Sequence, residues 1–195
     1  MTAMAARERT YLQPLVDTVV RRGVATGRGA VVAFTSAMPK DGVSYVVESL
    51  GRELGAAGMQ PVLVASSTGV ARLSPAKLRA NDGVFEAVEP NIVTLRGEEL
   101  LPFEAAGHRT EDSLEMLRKW FRFILIDCPS LEESSQALGV APLADGMVLV
   151  VSAGRTPRRK IERARKLLLS SPAPLLGCVL NRRTYPVPGF IYDRL

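Results

Sequence analysis

The chain contains few residues that bind metals or form disulfides: two cysteines and one histidine among 195 residues. Cys128 and Cys178 stand alone in apolar segments, and His108 has no cysteine or second histidine near it in the sequence. Two isolated thiols make neither a disulfide framework nor a zinc site, and a lone histidine rarely acts as a ligand. We therefore expect no metal centre built on these residues and a reducing compartment.

Long apolar runs are also missing. The run at residues 147–151, MVLVV, is far shorter than the roughly 18 consecutive apolar residues of a membrane span. The N-terminus lacks the apolar core of a signal peptide. A composition that is 47% hydrophobic and 23% charged is typical of one compact domain. We expect a single cytoplasmic domain over residues 1–195.

The net charge of +5 raises the question of an anionic partner. Much of the excess lies in residues 155–166, RTPRRKIERARK. Apolar residues recur there at Ile161, Ala164, Leu167 and Leu168, which places the basic side chains on the opposite face of a helix. A solvated amphipathic helix is the favoured interpretation. Contact with a nucleic-acid backbone or acidic lipid is the alternative, and we regard nucleic acid as an unlikely partner.

Short apolar runs alternate with segments of helical periodicity along the chain. Predicted strands lie at residues 30–36, 61–67, 91–97, 121–130, 145–154 and 173–183. Predicted helices lie at residues 12–22, 43–58, 110–121, 134–144 and 157–168. Residues 68–90 are predicted to be irregular, with room for one helix. This alternation predicts parallel crossovers, and hence an α/β three-layer sandwich with a mostly parallel central sheet.

Ligands of such sheets bind at the carboxyl ends of the strands. Four segments lie at the carboxyl ends of predicted strands: TSAMPKDGVS (35–44), ASSTGV (65–70), DCPSLEES (127–134) and NRRTYP (181–186). We expect any site to be built from these segments.

The first segment has the layout of a phosphate loop, with an apolar strand before it and a helix after it. Against the pattern G-x-x-x-x-G-K-[ST], Gly42 and Ser44 match, whereas Ala37 stands for the first glycine and Val43 for the lysine. Loss of that ammonium would weaken phosphate binding about 10- to 100-fold and impair catalysis further. Lys40 in the same turn could lean inward, or it could be an exposed turn lysine. The nucleotide-binding candidates are Ala37, Pro39, Lys40, Asp41, Gly42, Val43, Ser44 and Tyr45.

The segment FILIDCPS carries a second signal. Asp127 ends an apolar strand two residues before Pro129, which is close to the pattern h-h-h-h-D-x-x-P but has the proline one residue nearer. A carboxylate in this place can face a magnesium ion through water, although it can also cap the following turn. Asp127 is the residual catalytic or metal-binding candidate.

On these motifs, the chain resembles the cytoplasmic kinase domain of bacterial tyrosine kinases. Those kinases govern capsule and exopolysaccharide polymerisation, and they belong to the larger group of MinD- and ParA-like P-loop ATPases. The resemblance covers nearly all of the chain. It rests on the loop segment at residues 31–58, on FRFILIDCPS, on ADGMVLVVSAGRTPRRKIERA and on LLGCVLNRR. The family's loop reads like TSAxPGEGKSTxAxNLAxxxAxxG, so Lys40 stands for a glycine, Val43 for the lysine and Tyr45 for a small residue.

The family's second Walker element, VLLVDADLR, supplies aspartates that hold magnesium and activate the tyrosine hydroxyl. Here Ala65 and Ser67 occupy those positions. The resemblance also implies that Asn181 reads the adenine edge, although asparagine at a strand end can serve a local role. We expect a degenerate pseudokinase with no cofactor. The alternative is an active tyrosine kinase or MinD/ParA-like ATPase that uses ATP and Mg with non-standard loop residues.

The resemblance implies partners as well. A regulatory or scaffolding role would involve a membrane polysaccharide co-polymerase or an active tyrosine kinase, which would recruit the chain to the inner face of the cell membrane. The family's ring-forming motif E-x-x-R-x-x-R is only hinted at by Glu8, so a homo-oligomer remains an open expectation. Tyr185 and Tyr192 are the possible phosphoacceptors in place of the family's tyrosine-rich tail.

Overall fold

The structure is a computed structural model that describes residues 3–59, 61–80, 83–89, 91–95 and 110–183. Seven strands form one sheet in it. The strands are β1 (Ala30–Ser36), β2 (Val62–Ser66), β3 (Phe85–Glu89), β4 (Ile92–Leu95), β5 (Phe123–Asp127), β6 (Gly146–Ser152) and β7 (Leu175–Asn181). The helices are α1 (Ala3–Thr26), α2 (Val43–Ala56), α3 (Ser67–Ala71), α4 (Pro75–Ala80), α5 (Thr110–Trp120), α6 (Gln136–Val140) and α7 (Arg158–Leu169), and a 3-10 turn covers Ala141–Leu143.

The strand order is β3-β4-β2-β5-β1-β6-β7, and every neighbouring pair is parallel except β3 with β4. β1 lies between β5 and β6, and all seven of its residues are buried. A continuous apolar run is what a strand covered on both faces requires. The predicted α/β sandwich with a mostly parallel sheet is confirmed.

The sheet separates two hydrophobic clusters, which makes the three layers. On one face, Val16 and Val19 of α1 join Val46 and Leu50 of α2. The other face is covered by residues of α3 to α7, which include Leu117 and Leu168. The periodicity that predicted α2 is confirmed, because Val46, Val47, Leu50 and Leu54 are buried. In α7, Ala164 and Leu168 are buried, Ile161 and Leu167 are half-buried, and the basic residues are mostly exposed, as the predicted amphipathic helix requires.

Two boundaries differ from the sequence prediction. The first helix is longer than residues 12–22 and continues through Pro14. The stretch at residues 68–90 holds most of α3, all of α4 and the antiparallel edge strand β3, rather than one helix in an irregular loop. These elements are five or six residues long, too short for a helical period to show. They are stabilised by burial of residues such as Val70 and Leu78 against α5 and the sheet.

At the end of the sheet opposite the strand carboxyl ends, Arg118 of α5 ties three segments together. Its side chain is 4% exposed and forms an ion pair with Asp145. It donates to the carbonyl oxygens of Gly29 at 2.6 Å and Leu143 at 2.9 Å. The Asp145 carboxylate in turn accepts from the backbone N–H of Val31 at 2.7 Å. These hydrogen bonds and the ion pair fix the N-terminal ends of β1 and β6 in the sheet.

Within the described part of the chain, each helix is too short or too polar to traverse a lipid bilayer.

Candidate functional site

The loop between β1 and α2, residues 37–42, is held by side chains on both sides. Asp41 is almost fully buried, at 1% exposure. Its carboxylate accepts from the hydroxyl of Thr156 at 2.7 Å and from the backbone N–H of Met38 at 3.3 Å. The hydroxyl of Ser36 donates to the Met38 carbonyl at 2.8 Å. The loop is therefore fixed to the segment after β6.

Gly42 is the residue on which α2 starts, and its backbone is left-handed, with φ 91°. The Asn181 side-chain amide donates to the carbonyl oxygen of Asp41 at 2.9 Å. A Cβ at Gly42 would lie 2.2 Å from the Asn181 Nδ2 atom. Both the dihedral angle and the close approach require glycine here. Asn181 thus lies at the loop, with its amide bonded to loop backbone.

Replacing Gly42 with alanine is expected to destabilise the fold by about 1–3 kcal/mol, because the new methyl group meets Asn181 in a strained backbone. Gly58→Ala is the matched control, since Gly58 has φ 72° and a methyl group added there would meet no heavy atom within 4 Å. Urea unfolding of both variants measures the difference. Equal losses in the two variants would contradict a tight contact between Gly42 and Asn181.

Val43, at the lysine position of the loop pattern, is buried at 8% exposure. It belongs to the hydrophobic cluster that contains Phe34, Val46 and Val47. Tyr45, two residues further along the helix, is 50% exposed. The lysine position therefore supplies core packing in this chain and no charge.

Two cations lie near the loop. Lys40 is exposed and has a left-handed backbone, with φ 64°. Arg155, the first residue of the basic stretch, donates to the carbonyl oxygens of Lys40 at 3.0 Å and Pro39 at 3.4 Å. The sequence pattern does not connect Arg155 with the loop. The available signal was its place three residues after β6, because β6 neighbours β1 in the sheet.

Asp127 ends β5 and contacts the first turn of α2. The Ser44 hydroxyl donates to its Oδ2 atom at 2.6 Å. Burial raises the pKa of Asp127 above its ordinary value; the Ser44 hydrogen bond acts in the opposite direction, and the charge of Glu48 adds to the increase. The two retained polar positions of the family pattern, Ser44 and Asp127, are thus brought into direct contact.

The raised pKa of Asp127 predicts a pH dependence of stability. Between the ordinary carboxyl pKa and the raised one, the folded chain keeps a proton that the unfolded chain has released, so stability falls as pH rises through this window. Asp127→Asn keeps an oxygen that can accept from Ser44 and removes the titration. We expect the variant to be at least as stable as the wild type at pH 7 and to lack this decrease. Urea unfolding between about pH 4 and pH 7 measures it.

A wild-type stability that rose through the same pH window relative to Asp127→Asn would contradict this assignment. Glu48→Gln is a useful companion variant, because the Glu48 charge contributes to the shift. It should reduce the pH dependence and leave the Ser44–Asp127 contact in place.

The end of β2 lies next to β5, with Ala65 opposite Ile126 and Ser66 opposite Asp127. Ala65 is buried and has no polar side chain to offer. The Ser67 hydroxyl donates to the side-chain oxygen of Gln136 in α6 at 2.8 Å. Ser66 caps α3 by accepting from a backbone N–H. The two positions expected to carry carboxylates are therefore occupied by core packing and by a link to α6.

Cys128 follows Asp127 and is buried. Burial raises the pKa of its thiol to about 12; a hydrogen bond with Ser67 lowers it, and the charge of Asp127 raises it. The thiol is therefore protonated near neutral pH and is no nucleophile.

The structure brings together three of the four predicted segments: the loop at residues 37–45, Asp127 and Asn181. Ser67 belongs to the remaining segment, residues 65–70, and its hydroxyl donates to the side chain of Gln136. Tyr185, Tyr192 and His108 lie outside the described residues, and nothing is described of the Glu8 side chain. Among the residues that the structure describes, no three His, Cys, Asp or Glu side chains cluster as a metal site.

No protein-family model matches the sequence. A tyrosine-protein kinase CpsD from Streptococcus agalactiae is 25% identical over 171 residues, which cover 78% of this chain and 75% of that protein. The chain is a homologue of bacterial tyrosine kinases. The succinoglycan biosynthesis transport protein ExoP of Rhizobium meliloti is 28% identical over 194 aligned positions, covering 82% of this chain. That match spans 23% of the length of ExoP.

A solved kinase-domain structure and a solved ATPase structure share the fold. The VpsO kinase domain superposes with a TM-score of 0.68 at 18% identity, covering 93% of this chain and 94% of that one. A ParA family ATPase from Chlorobium tepidum superposes with a TM-score of 0.60 at 17% identity, covering 78% of this chain and 74% of that one. The chain therefore has the fold of ParA/MinD-like P-loop NTPases.

Proposed function

We propose that this bacterial tyrosine kinase homologue is a pseudokinase that regulates or scaffolds capsule or exopolysaccharide biosynthesis. The observation that carries the proposal is the burial of Val43 in the core at the position of the phosphate lysine. A buried valine offers no charge to a triphosphate, and the helix N-terminus and backbone N–H groups would be the remaining partners of an anion. The similarity to ExoP, a succinoglycan biosynthesis transport protein, supports the link to polysaccharide biosynthesis, and the similarity to CpsD supports the link to tyrosine kinases.

The side chains around the loop fit ATP and magnesium only in part. Ser44 and Asp127 are a hydroxyl and a carboxylate in contact, which suits a hard cation. Against this, Val43 replaces the lysine, Ala65 offers no oxygen, and the Ser67 hydroxyl is bonded to Gln136. A hydroxyl is also a poor substitute for a carboxylate as a general base. As a set, these residues do not fit ATP with magnesium, and we derive no phosphoryl transfer from them.

The same contacts suit a binding module. Asp41 and Asn181 hold the loop through the chain's own side chains and backbone, so its conformation needs no nucleotide. We propose that the chain presents a fixed surface to a membrane polysaccharide co-polymerase or to an active tyrosine kinase. Attachment to the inner face of the cell membrane would then be indirect, through that partner.

Calorimetric titration with ATP and magnesium, paired with an assay of phosphate release and of tyrosine phosphorylation, tests the proposal. We expect no micromolar binding and no turnover, while CpsD from Streptococcus agalactiae, assayed in parallel, serves as the working relative. Micromolar affinity with measurable turnover would defeat the pseudokinase assignment.

A second candidate function is an ATPase or kinase that uses non-standard residues. The Ser44–Asp127 contact favours it, as does the position of Arg155 on the loop carbonyl oxygens. If nucleotide binding is found, Asp127→Asn and Arg155→Gln distinguish use of this site from adventitious binding, because both variants should then weaken it. Unchanged binding in both would exclude this candidate.

A further inference from the structure

Helix α7 carries the net positive charge of the whole chain. Between Arg158 and Leu169 it has six basic residues and one acidic residue, Glu162, which gives the helix a net charge of +5. The net charge of the full chain is also +5, so the rest of the chain is neutral as a whole. Charge concentrated on one helix produces a local positive potential that an evenly mixed surface does not have.

Four of these six cations have no acidic partner among the described residues. Arg158 forms an ion pair with Glu162 at 2.8 Å. Lys160 forms an ion pair with Glu132. The other four basic residues are exposed and form no ion pair with any residue that the structure describes: Arg159, Arg163, Arg165 and Lys166. Like charges one turn apart repel each other on a helix, so an anionic surface that neutralised them would stabilise α7.

Three of the unpaired cations form a row along the helix. Arg159, Arg163 and Lys166 follow the spacing i, i+4, i+7, which places them on one line about 10 Å long. On the opposite side of the helix, Ala164 and Leu168 are buried in the core. The row therefore faces away from the body of the protein.

An exposed apolar side chain adjoins this row. Leu169, the last residue of α7, is 55% exposed. It follows Arg165 by four residues and Lys166 by three, so it lies beside both on the helix surface. The surface of an anionic membrane suits this combination, because headgroup phosphates attract the cations and the acyl chains accept the leucine. A nucleic-acid backbone would contact the cations and leave the leucine in water.

The row takes no part in the groove next to the candidate nucleotide site. That groove, of about 800 Å³, opens between α1, α2 and β7, and none of its lining residues belongs to α7. α7 packs on the face of the sheet opposite α1 and α2. Binding at α7 therefore does not depend on whether the chain binds ATP.

We propose that the basic face of α7, which consists of Arg159, Arg163, Arg165, Lys166 and Leu169, contacts the anionic lipid headgroups of a membrane surface. Each basic residue near an anionic bilayer strengthens binding about fivefold, so four of them give a dissociation constant in about the millimolar range of lipid. A contact of this strength is too weak to recruit the chain alone. The inference goes beyond the proposed function, in which a partner attaches the chain to the membrane, because the contact sets the orientation of the attached chain.

Cosedimentation of the full chain with lipid vesicles at low ionic strength tests the proposal. We expect the wild type to bind phosphatidylcholine vesicles that contain phosphatidylglycerol and not vesicles of phosphatidylcholine alone. The test variant combines Arg159→Gln, Arg163→Gln and Lys166→Gln, and glutamine is a good helix former. Because it loses three cations, its affinity for the anionic vesicles should fall about 100-fold. Equal binding of the wild type to both kinds of vesicle would overturn the proposal.

The matched control removes the same charge from other helices. It combines Arg21→Gln, Arg79→Gln and Lys119→Gln, which are exposed positions of α1, α4 and α5. We expect its affinity to stay within about threefold of the wild type, because charges farther than a Debye length from the lipid are screened. Equal losses in the two triple variants would show a response to net charge alone and would rule out a specific contact through α7. Circular dichroism checks that both variants are folded.

Leu169 distinguishes a lipid surface from other anionic partners. Leu169→Gln should weaken vesicle binding about fivefold, whereas Leu169→Met, which stays apolar, should leave it unchanged. Unchanged binding in Leu169→Gln would contradict insertion of this side chain among lipids. Tighter binding of the wild type to duplex DNA or to poly-glutamate than to the anionic vesicles would identify a nucleic acid or an acidic protein segment as the partner, and the lipid proposal would then be wrong.

Discussion

Val43→Lys is expected to raise the affinity of the chain for ATP with magnesium about 10- to 100-fold. A charge-assisted contact between an ammonium and phosphate oxygens is worth roughly 1.5–3 kcal/mol, and Val43 occupies the position from which the family's lysine makes that contact. The long apolar stem of lysine can keep part of the packing that valine makes in the core while its charge reaches out. Calorimetric titration of the wild type and the variant measures the difference.

Val43→Met is the matched control, because it adds length at the same position without charge. It should leave the affinity unchanged. If Val43→Lys binds ATP with magnesium no better than Val43→Met does, and both variants are folded, the loop does not bind the phosphate groups even when the lysine is restored. The backbone of the loop, and not only the absence of an ammonium group, would then prevent phosphate binding.

Arg118→Met is expected to lower the free energy of unfolding by about 3–5 kcal/mol, because it leaves the Asp145 carboxylate without its countercharge in a buried site. The Gly29 and Leu143 carbonyl oxygens lose their donor as well. A loss of this size should lower Tm by about 10 °C in a chain of this length. Urea unfolding followed by circular dichroism measures it.

The Arg28–Glu115 pair provides the control, since both side chains are about half exposed, at 51% and 47%. Arg28→Met should cost less than about 1 kcal/mol, because an exposed ion pair is screened by water. A loss in Arg118→Met no larger than that in Arg28→Met would show that the buried network does not hold the start of β1 and β6. Combining Arg118→Met with Asp145→Leu should recover part of the loss, since no buried charge then stays unpaired.

The central strands were predictable from sequence because they are buried on both faces. In β1 and β6, water is excluded from every position, so the residues form nearly continuous apolar runs. β3 was missed for the opposite reason: it lies at the edge, three of its five residues are exposed, and its Glu86 and Glu89 give no strand pattern. An exposed strand position accepts polar and apolar residues alike, so the local sequence of an edge strand shows no distinctive pattern.

Part of the candidate site was also predictable. The loop segment, Asp127 and Asn181 were expected at the strand carboxyl ends, and the order of the sheet brings them together. The contact of Arg155 with the loop and the contact of Ser67 with Gln136 were not predictable. Each joins residues 69 or more positions apart, and such contacts depend on how helices and loops pack over the finished sheet.

The resemblance to bacterial tyrosine kinases implied that Ala65 and Ser67 stand where carboxylates are expected. Residue order alone established the alternation of buried strands and amphipathic helices, the place of the phosphate-type loop, and Val43 at the lysine position of its pattern. These follow from residue chemistry and from periods of two or 3.6 residues, which are local properties. The packing of the whole chain was needed to show that Val43 is part of the core, that Asn181 binds the loop backbone and that a groove opens along β7. Those depend on contacts between distant segments, which exist only once the chain has packed.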